Sequence, residues 1–294
     1  MAPAKKKGRG AKAPRSAFRA KATPKVAPKK KKPAPKKKRP APEQEPAEAE
    51  VASSARPEAL GTITCPSGTL AIFDIGLAGY LPRPALEPTI VKASVPADRE
   101  LAVMGTRVGR GRFKDCWDSV SVVLGDGEVH HTKKLGEAGV DFARLVCVDH
   151  AAFAQWQHDE SLDGLADVMF SGRDEKKLAT VMGAPRTRDG YGWSNLTVAA
   201  AETKLIDAER KKAENKWLLA TDFRPHSHHF RALAAARASS NGAGELDLAG
   251  SRMLLFFTTW GDGVYPIYLD TDHDDRPVRV RIQLATEEPA AKPR

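Results

Sequence analysis

The sequence predicts an α+β protein: a single, mostly antiparallel β-sheet domain with a few helices, preceded by a disordered basic tail. Three observations support this fold class. Short runs rich in β-branched residues recur between turns of Gly, Asp and Pro. Helical composition is limited to a few stretches in the middle of the chain. The first 42 residues contain 17 Lys and Arg and no acidic residue, which is not the composition of a folded core.

The composition divides the chain into four parts. Residues 1–42 contain Lys, Ala, eight prolines and one aromatic residue, Phe18, so they bury too little apolar surface to offset the entropy of ordering. We expect them to be disordered. Residues 43–60 are expected to form an acidic, Pro-containing linker, residues 61–285 the globular domain, and residues 286–294 a disordered C-terminus.

The first half of the domain is expected to be mainly strands. They follow turn signals such as Pro66-Ser67-Gly68 and contain alternating or continuous apolar residues. Gly125-Asp126-Gly127 is typical of a hairpin turn, so the strands on either side of it should pair. The predicted strands are 70–75, 89–95, 101–108, 117–124, 128–131 and 142–149.

Helices are expected in the middle of the chain. A short helix is predicted at 151–159, with Asp149 or His150 near its N-cap. An amphipathic segment at 174–182 and an Ala/Glu/Lys/Leu-rich segment at 197–216 follow, and a Ser/Gly/Asn loop is predicted at 238–245.

The last part of the domain carries the clearest strand signal. Val278, Val280 and Ile282 alternate with polar residues, as in a sheet with one wet face. Gly261-Asp262-Gly263 and an acidic turn near Asp272 separate three predicted strands, which should form an antiparallel meander. These strands are 252–259, 264–270 and 278–284.

Charge is divided unevenly and predicts a polyanionic partner for the tail alone. Residues 1–42 carry +17, whereas the rest of the chain holds 30 of the 47 basic residues and all 37 acidic ones, a net charge of −7. We expect non-specific binding of DNA or RNA by the tail, strongly weakened by salt. The acidic body could contact a protein partner. The expected nucleic-acid-binding residues are Lys5, Lys6, Lys7, Arg9, Lys29, Lys30, Lys31, Lys32, Lys36, Lys37, Lys38 and Arg39.

Several protein classes are excluded. Cys65, Cys116 and Cys147 form no CxxC pair and are odd in number, so we expect buried thiols and neither a disulfide framework nor a zinc finger. No apolar run is long enough to span a membrane, and no apolar region follows the basic N-terminus as in a secretory signal. We expect no membrane contact, no cofactor, and a location in the cytoplasm or the nucleoid.

Four aspartates are the candidate catalytic residues. Asp74, Asp141, Asp149 and Asp262 lie at strand ends or turns, where carboxylates from different segments could converge on one pocket as acids and bases. The alternative is that such aspartates cap the helix or turn that follows. Trp260, Asp262 and Tyr265 are the candidate pocket residues, and the alternative for Asp262 is a structural turn.

Histidines and acidic turns give no metal signature. His226-Ser227-His228-His229 is the densest histidine cluster and the first candidate for a metal site. Its spacing matches no zinc protease motif, so the alternative to a metal site is a role in packing or at the surface. His130 and His131 would face opposite sides of a strand. The aspartates at 270–275 lack the Gly and Glu of an EF-hand. No metal is expected, and neither a phosphate-binding P-loop nor a nucleophile-elbow motif is present.

Short motifs spread over about residues 61–284 resemble the DUF4241 family, a bacterial family of unknown function. The motifs are Ser67-Gly68-Thr69-Leu70 with Asp74, Gly139-Val140-Asp141 with Val148-Asp149, and Trp260-Gly261-Asp262-Gly263-Val264-Tyr265-Pro266. The resemblance implies the extent of one domain and supplies no activity. The basic tail is similar in composition to the Lys/Ala/Pro tails of linker histones.

The expected function is therefore a non-enzymatic binding module, tethered to nucleic acid by its basic tail. Two alternatives stay open. The first is a hydrolase-type enzyme that uses the four aspartates. The second is an immunity or interaction protein of a bacterial toxin system, in which the acidic body would face a basic partner.

Overall fold

The structure of the protein is a computed structural model that describes residues 56–285. Residues 1–55 and 286–294 lie outside the described part. The predicted disordered tail, most of the predicted linker and the predicted disordered C-terminus therefore also lie outside it.

Strands dominate the described residues. The strands are β1 (Glu58–Thr64), β2 (Thr69–Phe73), β3 (Val91–Ser94), β4 (Glu100–Arg107), β5 (Trp117–Val123), β6 (His131–Val140), β7 (Arg144–Asp149), β8 (Leu165–Ser171), β9 (Arg186–Thr187), β10 (Gly190–Thr197), β11 (Ala220–Pro225), β12 (Ala243–Leu248), β13 (Ser251–Phe257), β14 (Gly263–Thr271) and β15 (Pro277–Gln283). The α-helices are α1 (Arg83–Leu86), α2 (Glu175–Met182), α3 (Val198–Asn215) and α4 (His228–Ala238). Single 3-10 turns lie at Ile75–Gly79, Glu87–Thr89, Gly111–Phe113 and Ala152–Gln155.

The strands form three sheets, and each strand pair within residues 56–285 is antiparallel. The six-stranded sheet has the order β1-β4-β5-β15-β14-β6, the five-stranded sheet β12-β13-β7-β2-β3, and the four-stranded sheet β11-β8-β10-β9. The prediction of a mostly antiparallel α+β fold is confirmed, although the strands are divided among three sheets.

The six-stranded and five-stranded sheets share one apolar core. Trp117, Val122 and Ile282 of the six-stranded sheet are fully buried in this core, and so are Leu145 and Phe256 of the five-stranded sheet. Inward-facing residues alternate with polar ones on the outer face of the six-stranded sheet, which is the pattern of a β-sandwich.

The five-stranded sheet is buried on its second face as well. Phe73 and Met253 of this sheet pack with Phe153 of a 3-10 turn and with Leu233 of α4. Because both faces are covered, strands such as β7 and β13 are almost continuously apolar instead of alternating.

The four-stranded sheet belongs to an excursion that leaves the sandwich near Gln157 and returns near His228. The amide of His228 donates to the carbonyl of Gln157 at 3.2 Å, and the amide of Gln157 donates to Nδ1 of His228 at 3.0 Å. Helices α2 and α3 cover one face of this sheet, where Val168 and Phe170 are buried. The chain therefore leaves and re-enters the sandwich at a single point.

The predicted hairpin between residues 117–124 and 128–131 is wrong. Residues 128–130 form no strand, and β6 begins at His131 and pairs with β14. The neighbours of β5 are β4 and β15, because β15 contributes Val280 and Ile282 to the same buried face. Gly125 contacts this strand by donating to the carbonyl of Val278.

The turn at Gly261-Asp262-Gly263 connects two layers and does not close a hairpin. β13 lies in the five-stranded sheet and β14 in the six-stranded sheet, so they do not pair. The meander is therefore confirmed only for its second half, the β14–β15 hairpin.

Helix predictions at 174–182 and 197–216 are confirmed by α2 and α3. The predicted short helix at 151–159 is one 3-10 turn, Ala152–Gln155. The predicted loop at 238–245 is shorter than expected, because β12 begins at Ala243. None of the helices within residues 56–285 combines the length and the apolar character needed to cross a bilayer.

Candidate functional site

A cleft of about 800 Å³ opens between the four-stranded sheet and α4. Two walls face each other across it. The sheet contributes Asp167, Met169, Ser194, Asp222 and Arg224, and α4 contributes His229, Phe230, Leu233, Ala234 and Arg237. The remaining lining residues include Gly79, Tyr80, Arg144, His158, Thr187, Arg188 and Asp189.

Strand alternation places the polar sheet residues in the cleft. In β8, Val168 and Phe170 are buried against α2 and α3. Asp167 and Met169 therefore point to the opposite face. In the adjacent strand β11, Phe223 packs with α3, and Asp222 and Arg224 lie on the cleft side.

Helical spacing aligns the opposite wall. His229, Leu233 and Arg237 are four residues apart in α4 and so lie on one face of the helix. Pro225 is the last residue of β11, and the Ser227 hydroxyl then caps α4 by accepting from the amide of Phe230 at 3.2 Å. This N-cap fixes His229 in the first turn of the helix.

Two histidine rings stack in the cleft wall. The centroids of His158 and His229 are 3.9 Å apart, with 26° between the ring planes. Burial, together with the nearby charges of His158, Arg144 and Arg237, lowers the pKa of His229 to about 3. Burial is also the main reason that the pKa of His158 is lowered, although Asp159 opposes the shift. Both imidazoles are therefore neutral at pH 7.

Arg144 is a partly buried cation beside these rings. Burial lowers its pKa, while the carboxylate of Asp74 acts in the opposite direction. Its guanidinium lies 5.2 Å from the ring centroid of Phe142. Gly76 permits this packing, because a Cβ atom there would lie 2.5 Å from the Phe142 ring and 2.8 Å from Nη2 of Arg144.

Unsatisfied polar atoms concentrate at the cleft. Four buried side-chain nitrogen or oxygen atoms in residues 56–285 have no hydrogen-bond partner. Three of them, Nε of Arg144, Oγ1 of Thr187 and Nε2 of His229, belong to residues that line the cleft. The fourth is Nε1 of Trp117 in the sandwich. Because native proteins satisfy nearly all buried polar groups, this concentration distinguishes the cleft from the rest of the described residues.

The arginines of the cleft differ in their partners. Arg224 pairs with Asp189 at 2.9 Å and with Asp222 at 2.6 Å. Among the described residues, no carboxylate lies within ion-pair distance of Arg144, Arg188 or Arg237. Three guanidinium groups thus line the cleft without a direct ion pair, although Asp74 lies near Arg144 and Asp189 near Arg188 and Arg237. Guanidinium groups bind phosphate and carboxylate oxygens.

The four predicted catalytic aspartates do not line this cleft. Asp74 is fully buried and accepts from the amides of Gly76, Asp141 and Phe142, each at 2.8 Å. Burial raises the pKa of Asp74, although these hydrogen bonds and Arg144 oppose the rise. Asp262 accepts from the amide of Ala143 at 3.1 Å. The Asp74 and Asp262 side chains therefore both stabilise the turn that contains the exposed Asp141.

Asp149 lies apart from this group, in a smaller depression. It accepts from the amides of Ala151 and Ala152 at 2.8 Å and of Ser67 at 2.7 Å. Burial favours the neutral carboxyl, but the hydrogen bonds outweigh that effect and lower the pKa of Asp149. The alternative in which Asp149 caps the following turn is confirmed.

The predicted pocket residues near the Gly261-Asp262-Gly263 turn serve packing. Nε1 of Trp260 donates to the carbonyl of Trp117 at 2.6 Å, and the Tyr265 hydroxyl donates to the carbonyl of Gly261 at 2.8 Å. Tyr265 is buried in the sandwich core. Neither residue lines the cleft between the four-stranded sheet and α4.

The histidine cluster at 226–229 is divided among three environments. His226 lies between Asp163 and Asp167, at 3.2 and 3.1 Å. His228 accepts from the Gln157 amide and stacks on Trp156, while His229 stacks on His158. The cluster thus presents its rings to different partners.

The closest grouping of potential metal ligands within residues 56–285 is Asp272, His273 and Asp274, whose donor atoms lie within 4.8 Å of one another. The Asp272 carboxylate accepts from the amides of Asp274 and Arg276, both at 2.9 Å. These contacts explain why the three residues lie close together, because they form the turn of the β14–β15 hairpin.

The cysteines behave as buried thiols. Cys65 and Cys147 are buried, Cys116 is half-buried, and all three are free. Burial, reinforced by Asp149, raises the pKa of Cys65 to about 12, which keeps this thiol protonated and unreactive.

Sequence reasoning missed most of the cleft. Tyr80, Arg144, His158 and Arg237 come from four separate segments, and no local motif joins them. The one available signal was helical spacing, because His229, Leu233 and Arg237 follow Ser227 as a capped amphipathic helix would.

Comparisons with protein-family models, curated proteins and solved structures give no match to this chain. The resemblance to the DUF4241 family therefore stays a prediction.

Proposed function

We propose that the globular body is a binding module whose cleft holds a small, phosphate-bearing ligand, and that the basic tail tethers it non-specifically to DNA or RNA. The observation that carries the proposal for the body is the coincidence of two features in one cleft. Buried polar atoms without partners lie in the wall of the cleft, beside arginines that form no ion pair among the described residues. Ligand oxygens would bind the guanidinium groups that are open to the cleft.

The size and lining of the cleft suit a small organic anion. About 800 Å³ is larger than one inorganic ion needs and falls within the range of small-molecule sites. Met169, Phe230 and Leu233 supply apolar surface beside the polar groups. Such a mixed lining favours a ligand with an anionic group and an apolar part.

Three of the four acidic side chains that line the cleft have partners of their own. Asp189 and Asp222 are both paired with Arg224. Asp167 accepts from the Asn195 amide at 2.8 Å and contacts His226. The fourth acidic residue of the lining is Asp159. Among the described residues, Arg144, Arg188 and Arg237 are the lining arginines that form no ion pair, and they are the candidate groups for an anion.

The proposal for the cleft is tested by calorimetric titration of the full chain with pyrophosphate. Arg237→Ala removes an exposed guanidinium from the cleft and should weaken binding roughly tenfold or more, because hydrogen bonds to charged groups contribute about 1.5–3 kcal/mol. Arg231→Ala is the matched control: Arg231 lies on the same helix but pairs with Asp163 outside the cleft. Equal affinities for all three proteins would contradict the proposal.

The proposal for the tail is tested by duplex DNA binding at several salt concentrations. The wild-type chain should bind with an affinity that falls steeply with salt. The logarithm of the binding constant should fall by about 0.9 for each phosphate neutralised when the salt concentration rises tenfold. Replacing the eight basic residues of 29–39 by Gln should reduce both the affinity and the slope. A variant that retains the wild-type slope would show that these residues do not contact phosphate.

A hydrolase-type enzyme is the second candidate, favoured by the His158–His229 pair. His158 is the candidate base of this pair, because the pKa of His229 is too low for its imidazole to accept a proton from water at neutral pH. An adjacent guanidinium would bind a phosphoryl oxygen. Attack of that water on bis(p-nitrophenyl) phosphate would release p-nitrophenolate, which is measured by absorbance. Turnover by the wild type that His158→Gln abolishes would favour the enzyme over the binding module.

A further inference from the structure

We infer that the ligand of the cleft is a nucleotide, with its base stacked on Tyr80 and its phosphate bound by the arginines. This inference rests on the proposed function, because it requires an anion-binding cleft. It adds the class of ligand, which the polar groups alone do not define.

Tyr80 forms an aromatic platform at the edge of the cleft. Its ring stacks on Phe142, with centroids 5.1 Å apart and 16° between the planes. The residue is nevertheless 72% exposed, so the ring face that points away from Phe142 is open to solvent. An open aromatic face of this kind stacks on nucleobases, and the stacking tolerates any base because each has a π face.

The platform is held in place by the backbone. The amide of Phe142 donates to Oδ2 of Asp74 at 2.8 Å, and the amide of Tyr80 donates to the carbonyl of Leu77 at 3.0 Å. Both rings therefore belong to short, hydrogen-bonded turns. A platform that is already ordered loses little entropy when a ligand stacks on it.

The platform and the cations are close together. The Arg144 guanidinium packs against Phe142, whose ring also packs against Tyr80. The Tyr80 phenol is near enough to Arg144 to affect the pKa of that arginine, and Arg144 is in turn affected by Arg237. Tyr80, Arg144 and Arg237 line the same cleft, so a base on Tyr80 and a phosphate on the arginines would occupy one cavity.

Gly79 links the platform to the histidine pair. A Cβ atom at Gly79 would lie 2.6 Å from Nε2 of His158, so only glycine lets the turn that carries Tyr80 pack against that ring. The aromatic platform, the histidines and the arginines thus form one continuous wall, which a base and a phosphate could contact together.

The test is calorimetric titration of the full chain with AMP, ribose 5-phosphate and adenosine. AMP should bind about tenfold or more tightly than ribose 5-phosphate, and adenosine should bind weakly. Tyr80→Ala should remove the preference for AMP and leave ribose 5-phosphate binding unchanged, whereas Tyr80→Phe should retain both affinities. Because Tyr80 is exposed, its removal leaves the core intact, which an unchanged thermal midpoint would confirm.

The outcomes separate this inference from the proposed function. Equal binding of AMP and ribose 5-phosphate, unaffected by Tyr80→Ala, would overturn the nucleotide inference and leave the phosphate site standing. Failure of every phosphorylated probe to bind, or binding of adenosine as tightly as AMP, would overturn the proposed phosphate site itself.

Discussion

Asp270 is a carboxylate with no exposed surface, on the outer face of the six-stranded sheet. Burial by itself would raise its pKa, but hydrogen bonds from Arg281, Arg279 and Thr132 outweigh that effect and lower it. Arg279 and Arg281 approach the carboxylate to 2.7 and 2.9 Å. One carboxylate therefore pairs with two cations on adjacent positions of one strand face, and its removal would leave the two arginines to repel each other.

Asp270→Asn should lower the free energy of unfolding by about 2–4 kcal/mol, because it leaves two arginines without a counter-ion. The measurement is urea unfolding of the full chain. The contribution of Asp270 to the free energy of unfolding is present in full above the ordinary carboxyl pKa of 3.8. It is lost as the pH falls through the lowered pKa that Asp270 has in the folded protein. Asp274→Asn, at an exposed turn, is the control, with an expected change of about 0.5 kcal/mol or less.

His229 should also make stability depend on pH, but at higher pH than Asp270 does. In the folded protein its pKa is about 3, whereas in an unfolded chain it is near 6.5. Between these values the unfolded chain binds more protons, so the His229 contribution is greatest above 6.5 and declines as the pH falls toward 3. His229→Gln should therefore flatten the loss of stability between about pH 7 and pH 4, measured by urea midpoints. An unchanged profile, matching that of His273→Gln in an exposed turn, would show that His229 is not buried as described.

At the residue scale, the sequence indicated which groups are polar but not which atoms they contact. Asp149 at the end of an apolar strand could be interpreted as a cap, because the following amides lie two and three positions away. Asp74 also caps locally, through the amide of Gly76, but its other two partners lie 67 and 68 positions away, and no local rule reaches that far.

At the scale of elements, α4 connects the cleft to the sandwich. Its His229 and Arg237 face the cleft, while Ala232 and Ala236 are fully buried against the five-stranded sheet. Helix α4 packs closely on β12 because residue 244 is glycine. A Cβ atom at this position would lie 2.3 Å from the backbone nitrogen of Ala236. Any change that moves this helix should also change the cleft.

Gly244→Ala should destabilise the protein by about 1–3 kcal/mol, because the added methyl group must displace the α4 backbone. It should also weaken pyrophosphate binding, although Gly244 does not line the cleft. Thermal unfolding and calorimetric titration measure the two effects. Gly139→Ala, in a strand where an added Cβ atom meets nothing within 4 Å, is the control. Wild-type values for Gly244→Ala would show that α4 does not contact β12 so closely.

The elements that the sequence predicted best are those stabilised by local patterns. Helix α3 and the β14–β15 hairpin were found from composition and turn residues. The pairing of β5 with β15, and the separation of β13 from β14, depend instead on which apolar faces the sandwich brings together. Pairing between distant strands is fixed by tertiary packing, which no local pattern reveals.

At the scale of the whole molecule, the cleft is the junction between the sandwich and the excursion that holds the four-stranded sheet. Arg144 and α4 belong to the sandwich side, while Asp167 and Arg224 belong to the excursion. A ligand that contacts both sides would hold them together and stabilise the folded chain against unfolding.

Pyrophosphate should therefore raise the thermal midpoint of the full chain. At a free concentration one hundred times the dissociation constant, the expected stabilisation is about 2.7 kcal/mol. The increase should be much smaller in Arg237→Ala and unchanged in Arg231→Ala, as followed by scanning calorimetry. A ligand effect of equal size in all three proteins would indicate that the anion acts outside the cleft.

The single point at which the excursion leaves and re-enters the sandwich also has a consequence for folding kinetics. Leu145 of β7 pairs with Phe256 of β13 across about 110 intervening residues, a costly loop to close in an unstructured chain. The excursion lies within that loop and its strands pair mainly with near neighbours in sequence. If it forms first, its hydrogen-bonded ends at Gln157 and His228 replace some seventy residues by one short connection. Early formation of the excursion would then lower the entropic barrier to assembling the central sheet.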